Sequence, residues 1–550
     1  MNQIKTQKLD LNYLLIAGLS ALILIPFLGR VHLFDWDEIN FAESAREMLV
    51  SGDYLNVQIN FIPFWEKPPL FIWMQAASMK VFGVNEFAAR FPNAIAGIFT
   101  VIALYHIGKK LFDKKFGGLW VMVYLGSILP FFYFKSGIID PWFNFFIFLS
   151  IYFFNNYISY EGAKQKLHAS LLSGTLLGLA VLTKGPVAIL LFSLSVSVFV
   201  LLRKFKIRFS IWHLGVFTIA LLLTGGFWFI MQIITGNADI IWRFITYQIE
   251  LLQTKGAGHG GFFGYHFIII LLGVFPASLF ALPMFKRNSD YSPIQSSFKT
   301  IMIILLFVVL IVFTIVKTKI VHYSSMAYFP VTFLATCFIH GLLNKKWRTP
   351  AFMNLLIVLI GLILSLSFIL LTLIAHFKDD LLASGLIKDR FASANLMANV
   401  QWSGFEILIG FILLTGVILY SLFILKKRPT YAIYSLFLSS ILFINLSLVF
   451  IVNNIEGYSQ RTAIEFYKSI RDEDAYILPL GFKTYGHYFY AQTQEHNNPN
   501  YYNRSWLLEG EVDKDVYLIT KIHYGENLMK TRPDLELVYA KNGFIFLKRK

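Results

Sequence analysis

Apolar runs long enough to cross a bilayer recur about thirteen times along this chain. The first, 11–28, follows Lys5 and Lys8. The others centre on 91–108, 118–134, 138–158, 167–183, 185–202, 211–234, 266–284, 300–316, 322–343, 352–376, 403–425 and 431–453. A chain with so many runs folds as an all-α polytopic membrane protein, because only helices satisfy their own backbone groups within one segment in lipid. The composition agrees: 56% of the 550 residues are hydrophobic and 17% aromatic. The first run is longer than a signal-peptide core and no small-residue cleavage pattern follows it, so it reads as an uncleaved span.

Charge gives the expected orientation. Lys and Arg gather in short loops: KKLFDKK (109–115), GAKQK (162–166), RKFKIR (203–208), KR (286–287), NKKWR (344–348) and KKR (426–428). These loops and the N-terminus are expected in the cytoplasm. An odd number of spans then puts the C-terminus on the outer side. The net charge of +16 is accounted for by these loops and does not imply nucleic acid. The one cysteine, Cys337, allows no intrachain disulfide.

The chain divides into a membrane domain, 1–453, and a tail, 454–550. In the tail SQRTAIEFYKSI (459–470) reads as a helix, and AYILPL (475–480), DVYLITK (515–521), ELVYAK (536–541) and GFIFLKR (543–549) read as strands. A small α/β domain is expected there. The glycines of KGAGHGGFFG (255–264) follow no strand and make no phosphate loop.

The first long outer loop, 29–88, holds unusual charge. Asp35 with Glu38 makes a D-x-x-E capping pattern, and Phe41, Ala45, Met48 and Leu49 follow at helical spacing. The spacing predicts an amphipathic juxtamembrane helix on the membrane surface, with Asp35, Glu43 and Glu47 solvated, ended by Ser51-Gly52. A second surface helix is predicted after Glu66-Lys67, where Pro68 and Pro69 suit the first turn, and Gly83 ends it. Lys184, in LTKGP (182–186), reads as a cation complementing a helix C-terminus.

The run DEINFAESAREMLVSGDY, then FWEKPPLFIWMQAASMKVFG, then NEFAARFP, closely resembles the first outer loop of bacterial GT-C glycosyltransferases. The relevant branch contains the lipid A aminoarabinose transferases and the protein O-mannosyltransferases. The resemblance covers the membrane part and implies the GT-C fold. It implies transfer of a sugar from a polyprenyl phosphate carrier to lipid A, a protein hydroxyl or a surface glycan, with inversion at the anomeric carbon. It also assigns residues. Asp37, Asp140 (in GIIDPWF) and Lys67 fall on catalytic positions. Glu66 and His259 fall on positions of a divalent-metal pair, so a Zn, Mg or Mn ion is an expected cofactor, with His266 the competing ligand. Lys319 and Tyr323, in KTKIVHY, fall near the carrier phosphate, and Glu38 and Arg243 complete the expected substrate-binding set. One departure is Asn40, where the aminoarabinose transferases carry arginine.

The residue types suit the chemistry. A phosphate leaving group needs cations where its charge develops. A carboxylate on the opposite side can deprotonate a hydroxyl acceptor or stabilise an oxocarbenium-like transition state. A transporter or flippase of lipid-linked sugars is the alternative. Such proteins hold their charges near the bilayer midplane, whereas here charges collect at span ends.

Overall fold

Each of the expected apolar runs carries helix, but several are broken or short. The computed structural model describes residues 10–253, 261–286 and 291–549. Among these, seven single helices are long and apolar enough to cross a bilayer, and two bent pairs bring the number to nine. The difference from about thirteen expected runs has local causes. The run 118–134 splits into Lys114–Leu125 and Ile128–Tyr133. Ile211–Gly225 and Phe227–Ile234 meet at 55° around Gly226, and Tyr265–Gly273 meets Ala277–Phe285 at 105° where Pro276 denies a backbone donor. Leu11–Leu24 and Val187–Leu202 are shorter apolar helices.

Burial sorts the helices. The span Val321–Leu343 is central, with 89% of its apolar window buried, whereas Ala351–His376 is only 28% buried and turns Leu355, Leu366 and Leu370 outward. The helix Asp140–Ser159 is buried along almost its whole length. It packs against Ala163–Lys184, and Ser150 and Ser173 exchange hydrogen bonds across that contact.

Loop 29–88 departs from the surface-helix expectation. The helix Asp37–Ser51 is buried on every side from Glu38 to Met48. Its apolar side packs on Leu70–Phe82, with Phe41 and Phe71 edge to face at 6.0 Å. Its polar side is covered by the tail, where Arg46 donates to the Thr493 carbonyl at 2.7 Å. The capping pattern is not used either. The N-cap is Trp36, without a side-chain cap. Asp35 instead accepts from the Thr484 hydroxyl and the Tyr485 N–H. Glu43 and Glu47, expected in solvent, are 0% and 1% exposed. Glu43 pairs with Arg46 at 2.6 Å. Glu47 accepts from the N–H groups of Asn60 and Phe61 at 2.5 and 2.9 Å. Those two residues hold positive φ at the tip of the hairpin Gln58–Ile59/Ile62–Pro63, a two-residue turn that a Phe adopts only when held there. Glu47 therefore fixes the hairpin that leads into Glu66 and Lys67.

The tail folds as a four-stranded mixed sheet in the order Tyr476–Leu480, Val516–Lys521, Phe544–Arg549, Leu535–Lys541. The first two strands run parallel and the rest antiparallel. The helix Arg461–Ser469 covers one face, where Phe466 sits 4.4 Å from the Phe546 ring. The tail reaches back to loop 29–88: Leu33 N–H donates to Tyr490 Oη, and Gln460 donates to the Leu33 carbonyl, both at 2.7 Å.

Candidate active site

Two carboxylates open two helices that come together. Asp37 is the first residue of Asp37–Ser51, and Asp140 is the first residue of Asp140–Ser159, with Pro141 setting the first turn. Each carboxylate has a basic partner. Asp37 Oδ2 lies 3.3 Å from His322 Nε2, with the two side chains 34% and 14% exposed. Asp140 Oδ1 lies 2.6 Å from Lys184 Nζ and also accepts from Ser325 Oγ at 3.4 Å. Asn144, one turn into the Asp140 helix, donates to Ser325 Oγ at 2.8 Å. His322 and Ser325 both come from the short 3₁₀ helix Val321–Ala327, which thereby joins the two carboxylates.

Lys67 shares this enclosure. Its ammonium lies 5.6 Å from the Tyr247 ring. Burial pulls its pKa below the ordinary lysine range; the charges of Glu66, Asp37 and Asp140 oppose that shift, and Lys184 adds to it. Three of the groups that act on Lys67, namely Asp37, Asp140 and Lys184, thus belong to the two pairs. Tyr323 places its ring 5.5 Å from Lys184 Nζ. Burial and the Glu66 carboxylate raise the Tyr247 hydroxyl well above its ordinary value, so it stays a hydrogen-bond donor.

The positions of Asp37 and Asp140 are set from behind. Glu38 turns away from the cluster and accepts from Nε and Nη2 of the Arg90 guanidinium, at 3.0 and 2.8 Å, from Phe34 N–H at 2.9 Å and from Gly137 N–H. Asn93 Nδ2 donates to the Ser136 and Ile138 carbonyls, both at 2.6 Å. The bend just before Asp140 is therefore tied to the Asp37 helix and to the helix Glu86–Leu111 together.

The structure brings Asp37, Lys67, Asp140, Glu66 and Tyr323 to one place. Three expected binding residues lie elsewhere or act otherwise. Glu38 is a buried structural anion, not a substrate contact, because Arg90 and two backbone donors already occupy it. Lys319 donates to the carbonyls of Phe313, Thr314 and Val316 at 2.9, 2.6 and 2.6 Å; its three donors cap the helix Pro293–Ile315 and leave none for a phosphate. Arg243 is exposed, stacked 4.9 Å from the Trp65 ring and loosely paired with Asp239 at 3.8 Å. It stands at the rim. His259 lies outside the described residues. Among the described residues no three His, Cys, Asp or Glu side chains gather as a metal centre. His266, the competing ligand, is buried beside the Tyr265 and Phe313 rings, and among the described residues neither ring nitrogen has a hydrogen-bond partner.

Sequence reasoning missed Lys184 and His322. Lys184 does end a helix, but its ammonium serves Asp140 rather than the helix carbonyls. The signal was the Gly-Pro that follows it, which stops the helix at the loop level where Asp140 begins. His322 adjoins the Tyr323 that was singled out, and only the 3₁₀ turn aims it at Asp37.

A family model described as dolichyl-phosphate-mannose-protein mannosyltransferase matches residues 66–228, which include Lys67, Asp140 and Lys184. Two curated relatives carry the name undecaprenyl phosphate-alpha-4-amino-4-deoxy-L-arabinose arabinosyl transferase. The one from Wigglesworthia glossinidia brevipalpis is 27% identical over 62% of this chain and 61% of its own length. The one from Yersinia enterocolitica is 24% identical over 97% of this chain and 99% of its own. Among solved structures, ArnT from Cupriavidus metallidurans bound to undecaprenyl phosphate superposes with a TM-score of 0.78 over 98% of both chains, at 14% identity. The fold is thus the GT-C fold, and the chain is a glycosyltransferase that uses a lipid-linked donor, similar to these relatives named for an undecaprenyl phosphate sugar.

Proposed function

We propose that this protein transfers a sugar from undecaprenyl phosphate to a hydroxyl acceptor on the extracytoplasmic side of the membrane, with inversion. The observation that carries this reading is the Asp37–His322 pair, 3.3 Å apart, in the same enclosure as two lysines. The acceptor oxygen attacks the anomeric carbon as the bond from that carbon to the carrier phosphate breaks. The phosphate leaves with the electron pair, next to Lys67 and Lys184, where fixed cations count most in a water-poor site. The acceptor proton passes to Asp37, and His322 beside it can take it onward. Such a carboxylate–histidine pair is useful to a hydroxyl, which must lose a proton, and superfluous to an acceptor already ionised. Lys184 is held by Asp140 at 2.6 Å, so arrival of the donor phosphate gives it a second anion to bind. Tyr323 and Tyr247 flank the two lysines as a polar-edged aromatic wall.

A second reading takes the acceptor as a phosphate of lipid A. What favours it is the name shared by the relatives, which also makes 4-amino-4-deoxy-L-arabinose the first donor sugar to test. In that case Asp37 orients or balances charge and His322 is dispensable. The orientation proposed follows the basic loops, with the N-terminus inside and the tail outside.

The test uses purified full-length protein with synthetic undecaprenyl-phosphate-linked sugars. Lipid A, a Ser/Thr peptide and a glycan are offered as acceptors, with products read by mass spectrometry. Transfer by the native chain and none by Asp37→Asn supports the reading. Equal transfer by the two proteins overturns it, as does absence of transfer to every acceptor.

A further inference from the structure

A second cavity, of about 470 Å³, lies beside the start of the Asp37 helix and shares no lining residue with the charged cluster. Its volume falls in the roughly 300–1,000 Å³ range of sites that hold small ligands. Three parts of the chain enclose it: Asp35 and Ile39 of loop 29–88, the helix Arg390–Leu396, and the tail. Its walls are mainly apolar, from Ile39, Phe391, Leu396, Ile464 and Phe544. Polar groups also reach the walls, and most of them, such as Asp35, Tyr458 and Gln460, are bonded within the protein, but among the described residues three are not. The Lys521 ammonium lies 4.7 Å from the Phe391 ring and 5.9 Å from the Phe482 ring, and among the described residues it has no carboxylate or hydrogen-bond partner. Tyr467 Oη and Asn395 Oδ1 are on residues 1% and 5% exposed, and neither has a hydrogen-bond partner among the described residues. Buried polar atoms are nearly always bonded, so two orphans and an unpaired cation around one void point to something that completes them. Asp35 does not neutralise Lys521, because Thr484 and Tyr485 already hold its carboxylate.

The surroundings identify the source. The cavity lies where the span Ala351–His376 gives way to the segment 377–402, and beside Tyr458, just past the span Pro429–Glu456. That segment turns Leu386 and Met397 outward, and Phe405 follows just beyond it, each at least 67% exposed. Lys378 sits over the Tyr458 ring and Trp402 donates to its hydroxyl. Exposed apolar residues with Trp, Tyr and Lys at span ends mark the membrane–water boundary.

We infer that this cavity is a binding site for an anionic membrane lipid, its acidic headgroup on Lys521 and an acyl chain along the Phe391–Ile464–Phe544 wall. A headgroup oxygen accepts from Tyr467 Oη, and a hydroxyl or a trapped water donates to Asn395 Oδ1. The site is separate from the sugar-transfer centre, and its test does not depend on that activity.

The full-length protein is reconstituted in nanodiscs of phosphatidylcholine containing one-tenth phosphatidylglycerol, and retained lipid is counted by native mass spectrometry. The native chain is expected to keep one phosphatidylglycerol in preference to phosphatidylcholine. Lys521→Gln is expected to lose that preference at least fivefold. Lys541→Gln, which removes a cation of the same sheet outside the cavity, is expected to keep it. Asn395→Leu, which removes one of the two unbonded polar atoms of the wall, tests the polar anchor and is expected to weaken retention without abolishing it. Circular dichroism on the same samples confirms that each variant is folded. No selective retention by the native chain, or equal losses in the two lysine variants, overturns the inference. Transfer assays run alongside separate it from the enzymatic reading, because lipid retention can fail while sugar transfer persists, and the reverse.

Discussion

The Glu38 carboxylate and the Arg90 guanidinium meet twice, at 3.0 and 2.8 Å, in a place where each residue is 4% exposed. Neither touches the reacting groups, yet each side of the pair holds one. Glu38 follows Asp37 in the chain and accepts from Gly137 N–H, three residues before Asp140. Arg90 also donates to the carbonyls of Leu28, Val31 and His32, so it gathers the whole approach to the Asp37 helix. Burial pushes the Glu38 carboxyl up, but the Arg90 charge and the backbone donors more than offset this and hold it below its ordinary value.

Removing Glu38 should therefore act on stability first. Glu38→Ala leaves Arg90 charged and unpaired, and breaking such a buried pair from one side costs about 3–5 kcal/mol. Thermal unfolding in detergent should show a large fall in midpoint, with transfer lost in proportion to unfolded protein. An unchanged midpoint would remove Glu38 from this structural role and return it to the candidate substrate contacts.

The lysines of the cluster should separate from it. Lys184→Met and Lys67→Met should each lower kcat by about 10²–10³, the effect of removing one preorganised group from a developing anion, while circular dichroism stays native. The Lys184→Met, Asp140→Asn double variant should lose less than the sum of the single losses, because the two groups are in contact at 2.6 Å. Strict additivity would mean that the pair does not act as a unit.

His322 distinguishes the acceptors. If a hydroxyl is used, His322→Gln should lower kcat about 10²-fold, in the range of general acid–base contributions, and change the acidic limb of the pH–rate profile. KM for the lipid donor should stay near native. A variant with native kcat and an unaltered profile would favour the acceptor that is already ionised.

Glu47 predicts a pH dependence of folding. Its burial beside Glu43 pushes its carboxyl up to about 9, well above its ordinary 4.5 in the unfolded chain. In that window the unfolded chain has released the proton and the folded chain has kept it. Stability is therefore full below the unfolded value and falls as pH rises toward the folded one. The melting temperature of the native chain should decline between about pH 5 and pH 9, and Glu47→Gln should flatten that decline. A flat native profile would show that Glu47 is ionised in the fold.

Deleting residues 457–550 should abolish transfer. The deletion removes Tyr490, Gln460 and Thr493, which hold Leu33 and Arg46, and uncovers the polar side of the Asp37 helix with its buried Glu43–Arg46 pair. Native turnover by the truncated membrane part would show that the tail does not support the site.

Some of this was legible in the chain itself. Apolar periodicity marked the helical runs, because a span must satisfy its backbone within one segment whatever its neighbours are. The strands of the tail followed from alternating β-branched and aromatic residues, and they fold where expected: Tyr476–Leu480, Val516–Lys521, Leu535–Lys541 and Phe544–Arg549. The loop pattern around Asp37, Lys67 and Asp140 picked out three residues that the fold gathers. What sequence could not decide was which charges face one another. Spacing reports neighbours along one helix, but Asp37–His322 and Asp140–Lys184 are contacts between helices. It also read the Asp37 helix as a solvated surface element, because Glu43, Arg46 and Glu47 look exposed until the tail and the hairpin cover them. Lys319 has the residue type of a phosphate ligand, and only the tertiary structure shows its three donors spent on a helix end. The sequence by itself determined a membrane-spanning helical frame and the kind of chemistry its loops carry. The tertiary structure decided which carboxylates are free to act and which are structural, since that depends on the cation each one meets.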